Sequence, residues 1–393
     1  MMFYHHCSTY FETHTRVVIG LGCISQLTNE IKSYNVTKIL VVSDANVSKT
    51  EFYKDCLGYI EADGLPCVAY NEVEEEAPLR NVETVRELII KNGCDLVIAI
   101  GGGSVCDVCK LGCVLATNGK TGPDWAGYEK YSIPPTTLFT VPTTAGTSAE
   151  VTNMAVIHDE ERNVKFSVGH RVLGAARVTF LDGNCVASCP RGLIACCGID
   201  ALSHSFESYI ALKANPITEA LSLQGIRLIS RNLRAVYGNT ENKTAALDLL
   251  VGSTMGGLAF NTTGCGNMHC IGRHVGPQFG INHGMSIAFV MPAVARFNFP
   301  AQMEKYRIIA EAMDLKTDGL PLAEVGEVVV EGLKKLIHDV GITKTMADMN
   351  PTEADLEKIA ADSYTQYQKF YHYRNPAKMW PKDYMTILKD CCK

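Results

Sequence analysis

The segment from Asp95 to Lys110, DLVIAIGGGSVCDVCK, places the strongest constraint on the fold. A short apolar run leads into three consecutive glycines and then into a helix-period pattern, which predicts a buried strand, a tight turn and a helix. Residues 36–44 and 137–141 are typical of further buried strands, and residues 81–91 have an apolar stripe at helical spacing. Strands that alternate with helices predict a parallel, doubly wound α/β sheet with helices on both faces.

The pattern changes after Ala187, where helix-period segments dominate, such as ITEALSLQGIRLISRNLRAVY and AEVGEVVVEGLKKLIHDVG. A chain of 393 residues is also longer than one ordinary core requires. We therefore predict an α/β domain over residues 1–185 and an all-α domain over residues 186–393.

The glycine turn, Gly101, Gly102 and Gly103 with Ser104, is a candidate phosphate loop. Backbone N–H groups and the positive end of a helix bind a pyrophosphate at such a turn, and the missing side chains allow close approach. The alternative is a tight turn without a ligand, because the sequence is neither GxGxxG nor a Walker loop. Asp107, in the first turn of the helix, is a second candidate contact, although an acid there also stabilises the helix dipole.

Asp44 ends the earlier predicted strand. A carboxylate at such a position accepts hydrogen bonds from an adenosine ribose and repels a 2′-phosphate. Asp44 therefore favours NAD over NADP.

Two pairs of residues in the second half of the chain are candidate metal ligands. Asp200 and His204 are spaced i, i+4, so a carboxylate and an imidazole share one helix face. His269 and His283 bracket a glycine-rich segment in which one unbroken helix is not expected, so we expect a helix and a loop that bring the two imidazoles together. A single helical histidine is usually a core or surface residue, and it is the combination that favours a metal. One Asp and three His suit Fe(II), Zn(II) or a similar ion.

Composition excludes several classes of function. The net charge of −6 argues against a nucleic-acid-binding surface, and no window approaches eighteen consecutive apolar residues. The N-terminal residues lack the pattern of a signal peptide. Sixteen cysteines in a long chain without an export signal fit a reducing compartment, so we expect a cytoplasmic protein that does not bind membranes or nucleic acid.

Four motifs, in register and in order, resemble the iron-containing (group III) metal-dependent alcohol dehydrogenases over residues 15–300 or so. They are GGGSVCDVCK, PTTAGTSAEVT, GIDALSHSFESYI and MHCIGRHVGPQFGINHG. The resemblance implies the dehydroquinate synthase-like fold of that family, with an α/β NAD-binding domain and a helical metal-binding domain. It also implies NAD, one divalent metal ion (Fe²⁺ or Zn²⁺), a small alcohol or aldehyde substrate and a homo-oligomer.

By position, the family's metal ligands correspond to Asp200, His204, His269 and His283. Its cofactor contacts correspond to the glycine loop with Ser104 and to these further residues: Asp44, Thr143, Thr144, Thr147 and Lys165. The implied reaction is hydride transfer between NAD(H) and a short-chain aldehyde or alcohol.

One departure from the family concerns the substrate. Members usually carry a proton-relaying histidine four residues after the third ligand, where this chain has Arg273, followed by His274. We expect either that His274 takes over the relay of the proton or that water and ribose hydroxyls are sufficient for it. Arg273 predicts an aldehyde with an anionic tail, such as sulfoacetaldehyde, because a guanidinium binds sulfonate, phosphonate or carboxylate through its planar fork. The alternatives are that Arg273 pairs with a protein acid or a cofactor phosphate, and that the enzyme is a general dehydrogenase of ethanol, propanol, butanol or 1,2-propanediol.

Two rival functions remain open. A lyase or synthase of the dehydroquinate synthase type shares the fold, but the Asp-x-x-x-His pair and PTTAGTSAE favour a dehydrogenase. A redox sensor needs exposed, low-pKa thiols. Cys106, Cys109 and Cys113 lie on one predicted helix face against the sheet, where burial is expected.

Overall fold

The computed structural model describes residues 8–393, which form two compact units. The α/β unit comprises residues 13–189 and 240–250, and the helical unit comprises residues 8–12, 190–239 and 251–393. The division predicted at residue 185 stays a prediction, and the structure assigns residues 240–250, which we expected in the all-α part, to the α/β unit.

The strands all lie in the first half of the chain. They are β1 (Arg16–Ile19), β2 (Ile39–Val42), β3 (Cys67–Tyr70), β4 (Leu96–Gly101), β5 (Gly127–Tyr128), β6 (Thr137–Pro142), β7 (Met154–Asp159), β8 (Val164–Gly169) and β9 (Val178–Leu181). Six of them form one parallel sheet in the order β1-β9-β6-β4-β2-β3, and β5, β8 and β7 form a small second sheet. The predicted parallel α/β fold is confirmed.

Four helices belong to the α/β half: α1 (Leu27–Lys32), α2 (Glu51–Ala62), α3 (Leu79–Asn92) and α4 (Gly103–Asn118). Residues of β2 and β4 are fully buried and contribute to two apolar clusters, because alternate side chains of each strand point to opposite sheet faces. A β-branched, uninterrupted apolar sequence is what a strand covered on both faces requires.

The chain after residue 190 is helical, as predicted. Its helices are α5 (Arg191–Ile210), α6 (Pro216–Gly238), α7 (Lys243–Thr263), α8 (Asn267–Phe279), α9 (His283–Asn298), α10 (Met303–Ala312), α11 (Leu322–Asp339), α12 (Glu353–Gln366) and α13 (Pro381–Cys391). A π-helical turn, Tyr367–Tyr371, follows α12. None of the helices in residues 8–393 is long and apolar enough to cross a membrane.

The strand order places two loops at the topological switch point of the large sheet. β2 lies between β3 and β4, and the chain leaves β2 towards β3 but leaves β4 towards β6. The loops after β2 and β4 therefore separate at their carboxyl ends, which is where doubly wound sheets bind nucleotides. Asp44 follows β2, and Gly102 follows β4.

Candidate active site

Helix α5 carries three polar side chains on one face of an otherwise buried helix. Its residues from Ile194 to Ile210 are buried with the exception of Cys197. Asp200, His204 and Glu207 follow the spacing i, i+4, i+7, which places them in one row. Polar groups in such a setting are retained only when other groups satisfy them.

The segment after α8 positions His283 opposite this row. Gly280 ends α8 in the left-handed conformation with φ of 64°, and the Asn282 side chain accepts a hydrogen bond from the Met285 N–H at the start of α9. The predicted break between the two histidines is thus present. His269 lies in the first turn of α8, and His283 is the first residue of α9.

The carboxylate of Asp200 is the centre of the cluster. Its Oδ1 lies 3.4 Å from His269 Nε2, 3.5 Å from His283 Nε2 and 4.0 Å from His204 Nε2. Asp200, His204 and His269 are at least 92% buried, whereas the His283 side chain is 48% exposed. The structure therefore brings together all four predicted ligands, with one side open to solvent.

The donor atoms fit a divalent cation. Asp200 Oδ1 and His269 Nε2 are buried and have no hydrogen-bond partner in the described structure, although both groups are strongly polar. Burial raises the pKa of the Asp200 carboxyl, but the three imidazoles outweigh burial and hold that pKa well below its usual range. A carboxylate and imidazole nitrogens that converge without partners form a donor set for Fe(II) or Zn(II).

Glu207 holds the ring of His269 in place. Its Oε2 lies 2.7 Å from His269 Nδ1 and accepts a hydrogen bond from the Gly266 N–H, while Oε1 accepts one from the Met268 N–H. The interaction fixes Nδ1 and leaves Nε2 for a metal, as outer carboxylates do in other metal sites. Our sequence analysis did not identify Glu207, although its i+7 spacing from Asp200 was a usable signal.

Cys265 is the second residue that the sequence analysis did not identify. Its sulfur, one ring nitrogen of His204 and one of His269 all lie within 4.8 Å of one another. Burial raises the pKa of the Cys265 thiol, but His269 and His204 outweigh burial and lower it to about 6. Cys270, which adjoins His269 in sequence, instead directs its buried thiol to the Ser363 carbonyl oxygen at 3.2 Å.

The cysteines of α4 have a structural role. Cys106, Cys109 and Cys113 are buried in the core of the α/β unit, and burial raises the pKa of each thiol. These thiols lack the exposure and low pKa that a redox sensor needs.

Arg273 follows His269 by one helical turn on α8. Its Nη1 lies 3.3 Å from the Tyr371 hydroxyl, and no carboxylate within residues 8–393 pairs with it. Burial lowers the pKa of the predicted ligand His283 to about 4, and the charge of Arg273 acts in the same direction, so the guanidinium lies within electrostatic reach of that imidazole. The expectation that a protein acid neutralises Arg273 is not met in the described part of the chain.

His274 lines a cavity whose described walls include none of the four predicted ligands. It shares this cavity of about 170 Å³ with its neighbour Arg273 on α8 and with Lys358 and Asp362 of α12. Burial lowers the pKa of its imidazole, and the charges that act on it are those of Asp362, Arg273 and Lys358. The structure does not bring His274 to the Asp200 cluster, because the next residue on a helix is rotated by about 100°.

The predicted cofactor residues of the α/β unit meet at the glycine loop. The Thr143 N–H donates to the Gly101 carbonyl at 3.1 Å. A side chain at Gly102 would lie 3.3 Å from Thr144 Oγ1, and one at Gly103 would lie 2.6 Å from Thr147 Oγ1. The close packing requires glycine and leaves the N-terminus of the sixteen-residue helix α4, which includes Ser104, without a side-chain cap.

The three remaining candidates have protein partners. Asp44 Oδ1 accepts hydrogen bonds from the Asn46 and Val47 N–H groups, at the carboxyl end of β2. Asp107 Oδ2 accepts one from the Val156 N–H and so anchors α4 to β7. Lys165 on β8 pairs with Glu76 at 3.3 Å, and the described contacts do not join it to the glycine loop.

Comparison with known proteins agrees with this arrangement. The model of the iron-containing alcohol dehydrogenase family matches residues 14–182, and the model of the C-terminal region of the Fe-containing alcohol dehydrogenase family matches residues 194–392. The chain is 30% identical over 373 residues to an NAD-dependent methanol dehydrogenase of Bacillus methanolicus, covering 95% of this chain and 97% of that protein. It is 29% identical over 350 residues to a sulfoacetaldehyde reductase of Bilophila wadsworthia, covering 88% and 90%.

A solved structure of a 1,3-propanediol oxidoreductase is 28% identical, with a TM-score of 0.93 over 98% of this chain and 100% of that one. The predicted fold, the enzyme class and the cofactor class, NAD with a divalent metal ion, are confirmed at the level of the family. Since family models match both halves of the sequence, the chain belongs to the iron-containing alcohol dehydrogenase family, whose members are alcohol dehydrogenases and aldehyde reductases.

Proposed function

We propose that the protein interconverts a short aldehyde with an anionic tail and the corresponding alcohol, with NAD(H) and a divalent metal ion. The observation that carries the substrate class is the guanidinium of Arg273, whose one hydrogen-bonding partner within residues 8–393 is the Tyr371 hydroxyl. A two-carbon aldehyde with a sulfonate or phosphonate group offers pairs of anionic oxygens that the planar guanidinium fork binds. The sulfoacetaldehyde reductase of Bilophila wadsworthia is a relative with such a substrate in its name.

The metal ligands in this proposal are Asp200, His204, His269 and His283. This assignment is supported by the Nε2 atoms of the three histidines, which lie 3.4–4.0 Å from Asp200 Oδ1. When bound, the ion acts as a Lewis acid that stabilises negative charge on the substrate oxygen. His283, at 48% exposure, marks the side from which a substrate reaches the cluster.

The cofactor residues in this proposal are Gly101, Gly102, Gly103 and Ser104, with Thr143, Thr144 and Thr147 packed against the loop. The uncapped N–H groups at the start of α4 would bind the pyrophosphate of the cofactor. The second carboxylate oxygen of Asp44 would accept hydrogen bonds from the ribose hydroxyls. Asp107 and Lys165 contribute less directly to cofactor binding, because the Asp107 carboxylate already accepts an N–H of β7 and the Lys165 ammonium already pairs with Glu76. NADH supplies the hydride to the carbonyl carbon.

Arg273 binds and orients the substrate tail but does not move a proton. An arginine side chain does not give up a proton in proteins, so Arg273 cannot replace the histidine of the family as a proton donor. His274 lines a cavity against α12, so in this proposal water or a ribose hydroxyl donates the proton that completes the product alcohol. The homo-oligomer remains a prediction from the resemblance, and the cytoplasmic location remains a prediction from the cysteine content and the N-terminal sequence.

The direct test measures NADH oxidation by the metal-reconstituted enzyme with four aldehydes at matched concentrations. These are sulfoacetaldehyde, phosphonoacetaldehyde, succinic semialdehyde and neutral propanal. We expect kcat/KM for one anionic aldehyde to exceed that for propanal by about 100-fold, or about 2.7 kcal/mol of selective transition-state binding. Equal values would indicate a general short-chain alcohol dehydrogenase and contradict the role of Arg273.

A further inference from the structure

The sulfur of Cys265 lies among the same histidines that the proposed metal site uses. The donor atoms of His204, Cys265 and His269 lie within 4.8 Å of one another, and so do those of Asp200, His269 and His283. The two groups share His269. Because Glu207 occupies Nδ1 of that ring, the nitrogen left for both groups is Nε2.

We infer that Cys265 is a further ligand of the metal ion, so that the site holds its ion with a thiolate as well as with Asp200, His204, His269 and His283. The inference rests on the proposed metal site. It is independent of the substrate class and of Arg273.

The surroundings of Cys265 support coordination over packing. His269 is 8% exposed and His204 is 5% exposed, and the buried Nε2 of His269, which faces the proposed ion, has no hydrogen-bond partner in the described structure. An unpartnered imidazole nitrogen beside a thiol is a donor pair of the kind that Zn(II) binds, at about 2.0–2.1 Å to nitrogen and about 2.3 Å to sulfur. The other cysteine of this segment, Cys270, donates its S–H to the carbonyl oxygen of Ser363 instead.

Two aromatic contacts keep the histidines beside the sulfur. The His204 ring stacks on the His269 ring at 4.5 Å between centroids and on the Phe260 ring at 4.3 Å. Cys265 lies between α7, which ends at Thr263, and α8, which begins at Asn267. The Glu207 carboxylate also accepts the Gly266 N–H, so the residue that follows Cys265 is tied to the same carboxylate as the His269 ring.

Coordination of the metal ion by Cys265 releases one proton from its thiol. The S–H bond of Cys265 breaks, its proton passes to the solvent, and a sulfur–metal bond forms in place of a bond to water. A thiolate is a soft ligand, so the site gains preference for Zn(II) or Co(II) over hard ions such as Mg(II).

The test loads the metal-free, full-length enzyme with one equivalent of Co(II) and records its absorption spectrum. We expect a thiolate-to-cobalt charge-transfer band in the near ultraviolet together with visible d–d bands. Cys265→Ser and Cys265→Ala lose the charge-transfer band but keep the d–d bands. Cys270→Ser is the matched control, because its thiol is five residues away and bonds elsewhere, and it keeps both sets of bands.

The outcomes separate this inference from the proposed metal site. A wild-type spectrum with d–d bands and no charge-transfer band overturns Cys265 as a ligand and leaves the four proposed ligands standing. A band that persists in Cys265→Ser overturns the assignment as well, since another cysteine would be its source. If no Co(II) binds, or if Asp200→Ala binds it unchanged, the proposed metal site itself fails and the Cys265 assignment fails with it.

Discussion

Glu207 Oε2 lies 2.7 Å from His269 Nδ1, so a buried carboxylate orients the imidazole that both donor groups share. Glu207 is 2% exposed and also accepts the N–H groups of Gly266 and Met268. One side chain therefore fixes the start of α8 and holds Nδ1 of the His269 ring. It would position the proposed metal site without being a ligand itself.

Replacing Glu207 by Gln tests this positioning role. The amide lacks the negative charge that holds the His269 N–H, so we expect metal affinity to fall by roughly 10–100-fold. Titration of the metal-free protein with Zn(II) against a competing chelator measures the change. Glu353→Gln, whose exposed carboxylate pairs with Lys389 on the surface, is the control, and equal affinity in the two variants would show that Glu207 serves packing alone.

Gly103→Ala tests the cofactor site. The new Cβ would lie 2.6 Å from Thr147 Oγ1 and 2.8 Å from its Cγ2, so the loop must shift away from the helix N-terminus. We expect the dissociation constant of NADH, measured by fluorescence titration, to rise about 10-fold, or about 1.4 kcal/mol. Gly58→Ala on α2, where a Cβ meets nothing within 4 Å, keeps the wild-type value. Tight NADH binding by a folded Gly103→Ala protein would contradict the phosphate-loop assignment.

His274→Ala tests the route of the proton. Because His274 faces Lys358 and Asp362, we expect kcat/KM to stay within about 3-fold of the wild-type value at each pH. A general acid contributes about 100-fold or more, so a loss of that size would place His274 in the relay.

Alkylation of the metal-free enzyme by iodoacetamide tests the electrostatics at Cys265. The neighbouring imidazoles lower the pKa of this thiol to about 6, so the reactive thiolate forms as the pH rises through that value. We expect the rate to level off about one pH unit above it and to fall when Zn(II) is bound. A rate that climbs on towards the pKa of an ordinary thiol, or one unchanged in Cys265→Ser, would rule this out.

Periodicity predicted the elements that local burial controls. Strands β2, β4 and β6 and helix α3 follow apolar patterns whose spacing determines which face is buried. The convergence of the four proposed ligands was predictable because Asp200 and His204 share a helix face and glycines break the chain between His269 and His283.

Tertiary packing determined what sequence patterns did not show. Cys265 becomes a candidate ligand only because α5 places His204 beside the connection between α7 and α8. His274 was a candidate for the proton relay because it follows Arg273 in sequence. Its position on α8 instead places it beside residues of α12. The ion pair of Lys165 with Glu76 joins residues distant in sequence, which no local pattern indicates.

The most direct test of the account measures kcat/KM for sulfoacetaldehyde and for propanal in the wild-type, Arg273→Ala and Arg273→Lys enzymes. In the proposed function the guanidinium pairs with the substrate anion, and in the described chain its side-chain partner is the Tyr371 hydroxyl. We therefore expect Arg273→Ala to lose the preference for the anion by about 100-fold, with propanal turnover little changed, and Arg273→Lys to recover part of it. A preference that is the same in all three enzymes, or absent in the wild type, would contradict the proposed substrate class.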